Sequence, residues 1–358
     1  MRELLFSYYY NNSQQRAYWI DYVKGLAIIL VVLGHLAGGL VNSGLEAASS
    51  MVQLNHELYF LRMPVFFIIS GMFFRKSIGK RSWKGFTQNK FDTIFYPYLI
   101  WAFIQLTVQL LLSNYVNSSK NLSYYLYIIT NPGGGRIDQF WYLYVLFFLN
   151  IFYLGIDSFI KNKYYHIPIG LTLLFVSEFV VDITLLHGVS FYYLFFALGD
   201  NLAGTIWDKH NFDKLQSYKY FLPFLIVFIA ALMYWHHQEA RPNPFVFFIL
   251  GTIGGLFFIM SAIQMQKTDP IPIIRFIGYH SLYIYIWHLL AGTAMRAITV
   301  KILNIENVYL VLPIITLAGI FLPIFAYSFI VKFKLQILVE NQWNKIIRQK
   351  KTGKEVIA

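Results

Sequence analysis

Three ionisable side chains share one face of a helical stretch near the start of the chain. In "DYVKGLAIILVVLGH", residues 21–35, the side chains of Asp21, Lys24 and His35 align at about 100° per residue. Lys24 and His35 are then separated by roughly 16 Å along the helix axis. An imidazole can act as a general base or as a nucleophile, and an ammonium group can bind an anion. Asp21 and Lys24 can also form an ordinary interfacial pair that reaches towards water.

Two further ionisable residues are predicted at the depth of His35. Arg62 lies 13 positions from the inner end of a second apolar stretch, and His288 lies 15 positions into a later one. These spacings correspond to roughly 20–22 Å, compared with roughly 24 Å for His35. Because ionisable groups inside a membrane are costly and usually functional, we take His35, Arg62 and His288 as candidate catalytic residues.

Other polar residues mark weaker candidates. Ser281, Tyr285 and His288 follow one another at i, i+4 and i+7, which predicts a single polar stripe on a helix. Ser70 precedes Gly71, a pair that is more typical of close helix packing than of chemistry. Trp141 follows a glycine-rich loop and is most simply an anchor at the membrane interface.

The loop at residues 75–90, "RKSIGKRSWKGFTQNK", contains six basic residues, among them Arg75 and Lys90. These basic residues can hold the loop against anionic lipid, or they can bind an anionic ligand in the cytoplasm. Glu178 and Asp182 lie four positions apart in a poorly defined apolar segment. They can form a pair of acids within a span, and a wet or interfacial segment is an equal alternative.

Composition defines the elements that must position these residues. Of the 358 residues, 57% are hydrophobic and 13% are charged, and the mean hydropathy is +0.52. We predict an all-α, polytopic membrane protein, because helices satisfy their own backbone hydrogen bonds in lipid. The sequence predicts ten spans, at residues 19–41, 57–75, 93–113, 141–160, 167–186, 191–207, 220–236, 245–265, 273–298 and 308–332.

The basic residues are distributed unevenly between the two sides of the membrane. With a cytoplasmic N-terminus, 22 of the 29 Lys and Arg residues fall in inner segments and 4 in outer loops. The positive-inside rule then places both termini in the cytoplasm. We interpret residues 1–358 as one membrane domain, with a transmembrane core at 19–332 and a basic tail at 333–358. The spread of charge argues against nucleic-acid binding, and the absence of cysteine excludes disulfides and thiolate ligands.

Four segments resemble the membrane acyltransferase-3 family in order and approximate spacing. They are "WIDYVKGLAIILVVLGH" (19–35), "FLRMPVFFIISGMFF" (60–74), "KFDTIFYPYLIW" (90–101) and "IGYHSLYIYIWHLL" (277–290). The family includes O-acetyltransferases of bacterial glycans, and the fucose 4-O-acetylase-like members are the most similar in character. The resemblance implies about ten spans, a bacterial plasma-membrane location and transfer of an acetyl group from acetyl-CoA to a hydroxyl.

The resemblance also implies roles for individual residues. His35 matches the essential histidine of the family, and Lys24 matches the basic residue 11 positions earlier. The family's paired arginines before a proline are represented here only by Lys90, with Thr93 at the second position. Arg62 occupies a place where histidine or another polar residue is common.

The resemblance therefore predicts a donor site, a reaction centre and an acceptor site. The predicted ligands of acetyl-CoA are Lys24, Asp21, Arg75, Lys90 and Ser70. His35 is the base or nucleophile, and no metal is required. Donors to the thioester oxygen, or contacts that hold the sugar, come from Arg62 and from the stripe of Ser281, Tyr285 and His288. The predicted contacts to the sugar or glycan acceptor, which can be lipid-linked, are Tyr285, Ser281 and Trp141. The alternative is a carrier or flippase in which these residues line a substrate path without bond chemistry.

Overall fold

The computed structural model describes residues 17–41, 53, 55–57, 59–111, 120–134, 137–238 and 243–341. Within these ranges the chain forms helices and short turns and no β-strand, which confirms the all-α prediction for this part of the chain. The helices are α1 (Tyr18–Val41), α2 (Tyr59–Met72), α3 (Phe74–Ile78), α4 (Trp83–Lys90), α5 (Tyr96–Leu111), α6 (Tyr124–Thr130), α7 (Trp141–Phe159), α8 (His166–Val176), α9 (Thr184–Trp207), α10 (Lys209–Leu215), α11 (Tyr218–His236), α12 (Pro244–Thr268), α13 (Pro272–Tyr279), α14 (Ser281–Arg296) and α15 (Val308–Lys332).

Six of the described helical segments are long and apolar enough to cross a membrane. They are α1, the continuous segment Trp83–Leu111 formed by α4, a π-helical turn and α5, and then α7, α11, α12 and α15. Several spans of this kind in one chain indicate a multi-pass membrane protein. The count of ten spans and the cytoplasmic termini stay predictions.

The predicted span at 167–186 is wrong as a continuous helix. Helix α8 ends at Val176, a 3₁₀ turn follows, and α9 begins only at Thr184. The side-chain oxygen of Asn131 accepts a hydrogen bond of 2.9 Å from the backbone N–H of Thr184. This contact caps α9 from a distant loop, which sequence periodicity cannot reveal. Glu178 and Asp182 are exposed in the break between the two helices, as expected for a wet segment.

The predicted span at 273–298 is also interrupted. His280 separates α13 from α14, and its ring nitrogen Nδ1 bonds the carbonyl of Phe276, 2.9 Å away. The second predicted span, 57–75, similarly divides at Phe73 into α2 and α3. Both breaks lie towards the predicted inner side, so the candidate catalytic residues remain on regular helix.

Helix α1 occupies the centre of the molecule and packs against α2, α12, α13, α14 and α15. Its contact with α13 is close enough to require glycine on both helices. A Cβ atom at Gly25 would overlap the carbonyl oxygen of Ile274, and one at Gly278 would overlap the carbonyl oxygen of Asp21. Because α14 follows α13 directly, this crossing fixes α14 relative to α1.

Candidate active site

The structure brings His35 on α1 and His288 on α14 together. Their ring centroids are 5.4 Å apart and the ring planes are inclined by 44°. His288 is fully buried, whereas His35 is partly exposed. Two imidazoles separated by more than 250 positions in sequence therefore form one pair in the core of the helical bundle.

Arg62 on α2 lies beside this pair. Its guanidinium group packs directly on Gly34, the residue before His35, so that a Cβ atom at Gly34 would overlap it. The Nη2 atom donates hydrogen bonds of 2.7 Å to the backbone oxygen and to the side-chain oxygen of Asn55. Arg62 is 8% exposed, so these bonds hold a nearly buried cation in place.

The predicted convergence of His35, Arg62 and His288 is thus confirmed as geometry, while their catalytic roles stay predictions. Buried imidazole can accept a proton from a hydroxyl group, and guanidinium can stabilise negative charge that develops on an oxygen. In the part of the chain that the structure describes, no three His, Cys, Asp or Glu side chains are arranged to hold a metal ion.

The predicted stripe on α14 also exists, but one member is already bonded. The Tyr285 hydroxyl donates a short hydrogen bond to the backbone carbonyl of Gln139. The side-chain amide of Gln139 in turn pairs with that of Gln105 on α5 and donates to the Ile286 carbonyl at 3.2 Å. Tyr285 therefore ties the segment before α7 to α14.

The other two predicted acceptor contacts lie at helix ends. Ser281 is the first residue of α14 and is half-buried. Trp141 is the first residue of α7 and is half-buried, and its ring stacks on Tyr192 with a centroid separation of 5.7 Å. Their contact with an acceptor stays a prediction.

At the other end of α1, Asp21 and Lys24 differ in their exposure. Asp21 is completely buried where α1 crosses α13, so the snorkelling interpretation is wrong for this residue. Lys24 is half-buried. Lys90 is also half-buried, and its ammonium group lies 5.2 Å from the centre of the Phe86 ring. Among the described residues, Lys90 forms no ion pair with a carboxylate.

Arg75 belongs to a buried ionic network that the sequence did not reveal. Its guanidinium group lies 2.6 Å from a carboxylate oxygen of Asp157 and 3.1 Å from one of Asp200. The Tyr153 hydroxyl donates a further hydrogen bond of 2.9 Å to Asp200. Two aspartates already neutralise this arginine, which gives it a structural role at the junction of α3, α7 and α9. Its predicted contact with a phosphate stays a prediction.

The surroundings of Ser70 agree with close helix packing. A Cβ atom at Gly71 would overlap the carbonyl oxygen of Phe196, and one at Gly199 would overlap that of Ile68. Helices α2 and α9 are therefore in backbone contact next to Ser70, which is itself half-buried. A contact between Ser70 and acetyl-CoA stays a prediction.

Sequence reasoning missed three polar residues around the site. Gln105 lies in an apolar helix, and its amide in that setting was a usable signal. Asn55 and Gln139 lie in short segments outside the predicted spans, where polar residues are ordinary. Their importance arises only from the side chains that the fold brings to them.

Taken together, these features define a multi-pass helical membrane protein with a pair of histidines in its helical core and an arginine beside its central helix. The family model described as "Acyltransferase domain" matches residues 17–332, which include all of these helices. The chain therefore belongs to the acyltransferase-3 family and is a membrane acyltransferase. No curated protein and no solved structure matches the chain significantly.

Proposed function

We propose that the protein transfers an acetyl group from cytoplasmic acetyl-CoA to a hydroxyl of a cell-envelope glycan or lipid-linked sugar in a bacterial plasma membrane. The observation that carries this proposal is the placement of His35 beside His288 and Arg62 on the helix that also carries Lys24. The helix α1 then carries a cationic group at one end and the proposed base, His35, further along.

The residues at the cationic end fit the chemistry of the donor. Coenzyme A carries several phosphate charges on a nucleotide and a long, uncharged pantetheine arm that ends in the thioester. Lys24 and Lys90 supply ammonium groups for the phosphates. The roughly 16 Å from Lys24 to His35 is a distance of the order that the arm has to span. Asp21, buried against α13, helps to fix this end of α1.

At the reaction centre, His35 removes the proton of the acceptor hydroxyl. The hydroxyl oxygen then forms a bond with the acetyl carbonyl carbon, and the carbon–sulfur bond to coenzyme A breaks. Arg62 donates to the carbonyl oxygen while it carries negative charge, and a proton returns to the leaving thiolate. We favour this direct transfer over an acetylated His35 because it needs only one base between donor and acceptor.

Transfer of radiolabelled acetyl from acetyl-CoA in inverted membrane vesicles tests the proposal. We expect label to reach endogenous glycan or water with the wild-type protein, and His35→Ala to abolish the transfer while expression stays normal. Lys24→Ala is expected to raise the KM for acetyl-CoA more than it lowers kcat, because Lys24 lies far from the reacting atoms.

A carrier gives a different pattern in the same experiment. A glycan carrier does not bind coenzyme A, so acetyl-CoA would neither be hydrolysed nor raise the melting temperature of the purified protein. If the wild type, His35→Ala and Lys24→Ala behave alike and none binds acetyl-CoA, the acetyltransferase proposal fails. Label that remains covalently on His35 would instead identify an acyl-histidine intermediate.

A further inference from the structure

The hydrogen bonds of His288 define which of its ring nitrogens carries a proton. Nδ1 lies 2.8 Å from the carbonyl oxygen of Tyr285 and 3.1 Å from that of Ile284. Carbonyl oxygens only accept hydrogen bonds, so Nδ1 is the donor. In the neutral imidazole the other nitrogen, Nε2, then carries a lone pair and can only accept a hydrogen bond.

This acceptor has no partner of its own. The Nε2 atom is buried and makes no hydrogen bond within the described ranges, which is unusual for a buried polar atom. The ring that carries it lies 5.4 Å from the ring of His35, measured between centroids. No hydrogen bond joins the two rings in the described structure, so a bond of about 3 Å from a His35 nitrogen to Nε2 requires one of the rings to reorient.

Among the described residues, the titratable groups that interact electrostatically with His35 are His288 and Arg62. Arg62 is the charged group that faces it from α2, and Tyr285, one turn before His288, uses its hydroxyl on the Gln139 carbonyl. On helix α15, Gly319 lies close to the backbone oxygen of His288. Neither ring forms an ion pair with a carboxylate in the described part of the chain. A carboxylate commonly supports a catalytic histidine, and here His288 occupies the place beside His35.

We propose that His288 is the proton acceptor for His35, so that the two histidines work as a dyad. This inference rests on the proposed acetyl transfer. As the acceptor hydroxyl gives its proton to one nitrogen of His35, the opposite N–H of His35 passes its proton to Nε2 of His288. After the carbon–sulfur bond breaks, the dyad returns one proton to the thiolate.

This role differs from the sequence prediction that His288 donates to the thioester oxygen or holds the sugar. With Nδ1–H committed to its own helix, a neutral His288 has no second donor. Arg62 is left as the donor to that oxygen. The two roles predict opposite orders of activity for His288→Glu, which can only accept hydrogen bonds, and His288→Gln, which can also donate them.

The test measures acetyl-CoA turnover, with water or vesicle glycan as the acceptor, for His288→Gln and His288→Glu. We expect His288→Gln to lower kcat by about 10²–10⁴-fold. We expect His288→Glu to retain at least tenfold more activity than His288→Gln, because a carboxylate accepts and cannot donate.

His280→Gln is the matched control. His280 is also buried and also directs Nδ1 at the carbonyl four residues earlier, but it lies eight positions before His288. We expect His280→Gln to keep the wild-type turnover. Protection of each variant by acetyl-CoA against thermal unfolding verifies that the variant is folded. Should His288→Glu fail to fold, His288→Gly with imidazole added to the buffer replaces it, and recovery of turnover is expected.

Several outcomes overturn the dyad. The dyad is wrong if His288→Gln has wild-type turnover or is more active than His288→Glu. It is also wrong if imidazole fails to restore turnover in a folded His288→Gly. If His35→Ala loses transfer while His288→Gln keeps it, only the dyad fails. If the wild type itself neither binds nor consumes acetyl-CoA, the proposed function fails.

Discussion

Replacing Gly34 by alanine displaces the Arg62 guanidinium group and leaves the neighbouring backbones in place. The added Cβ atom would overlap Nη1 and the central carbon of the guanidinium group, which is the end of a flexible side chain. To reach ordinary van der Waals contact, the guanidinium group has to move by on the order of 1 Å. That movement also strains its two hydrogen bonds of 2.7 Å to Asn55.

The expected effect is large on activity and small on stability. A misplacement of about 1 Å at a reaction centre can cost about 10²-fold in rate, which corresponds to about 2.7 kcal/mol. Alanine gains about 1 kcal/mol over glycine within a helix, and this offsets part of the strain in the Arg62 hydrogen bonds. Gly34→Ala is therefore expected to fold, with kcat for acetyl transfer lowered by about 10²-fold.

Two other glycine substitutions serve as comparisons. At Gly155 on α7, an added Cβ atom meets nothing within 4 Å, so Gly155→Ala should keep full activity and gain slightly in stability. At Gly25, the added atom overlaps the backbone of α13, which cannot rotate away. Gly25→Ala should therefore lose about 1–3 kcal/mol of stability.

The assay combines acetyl transfer from labelled acetyl-CoA with thermal unfolding of the purified protein in detergent. We expect a normal melting temperature with low activity for Gly34→Ala, wild-type behaviour for Gly155→Ala and a reduced melting temperature for Gly25→Ala. A Gly34→Ala protein with wild-type kcat and wild-type melting temperature would refute the link between the position of Arg62 and the reaction.

Three further predictions concern residues outside the histidine pair. Arg75→Met leaves two buried aspartates without their cation, so it should destabilise the protein by about 3 kcal/mol, visible as a lower melting temperature. Lys90→Met should raise the KM for acetyl-CoA severalfold at low ionic strength, and the difference from wild type should shrink at high salt because screening weakens the phosphate contact; a salt-independent difference would argue against a charge effect. Tyr285→Phe leaves the Gln139 carbonyl without its donor and should cost about 1–3 kcal/mol of stability, measured by thermal unfolding, whereas a change confined to acceptor KM would indicate direct acceptor binding.

Some of the site could be predicted from the sequence because its residues are unusual for their surroundings. His35, Arg62 and His288 are ionisable groups in apolar helices, and counting helical rise from the predicted inner ends placed them at similar depth. The structure brings the rings of His35 and His288 to 5.4 Å and sets Arg62 beside them. Depth along a helix is a local property, so a linear sequence can supply it.

The sequence could not supply the partners of the other charged residues. Arg75 appeared as one of six basic residues in a loop, yet it is paired with Asp157 and Asp200 from two other helices. Which aspartate meets which arginine depends on how α3, α7 and α9 pack. That packing depends in turn on backbone contacts such as Gly71 against Phe196, which no local pattern encodes.

Composition and the fixed rise of a helix are enough to predict the class of the protein, its helical character and the depth of its rare ionisable residues. The breaks between helices and the tautomer of His288, whose Nε2 has no hydrogen-bond partner among the described residues, depend on packing. Packing also decided the position of Arg62 over Gly34. These features depend on which atoms of distant segments come into contact, and contact is a property of packing.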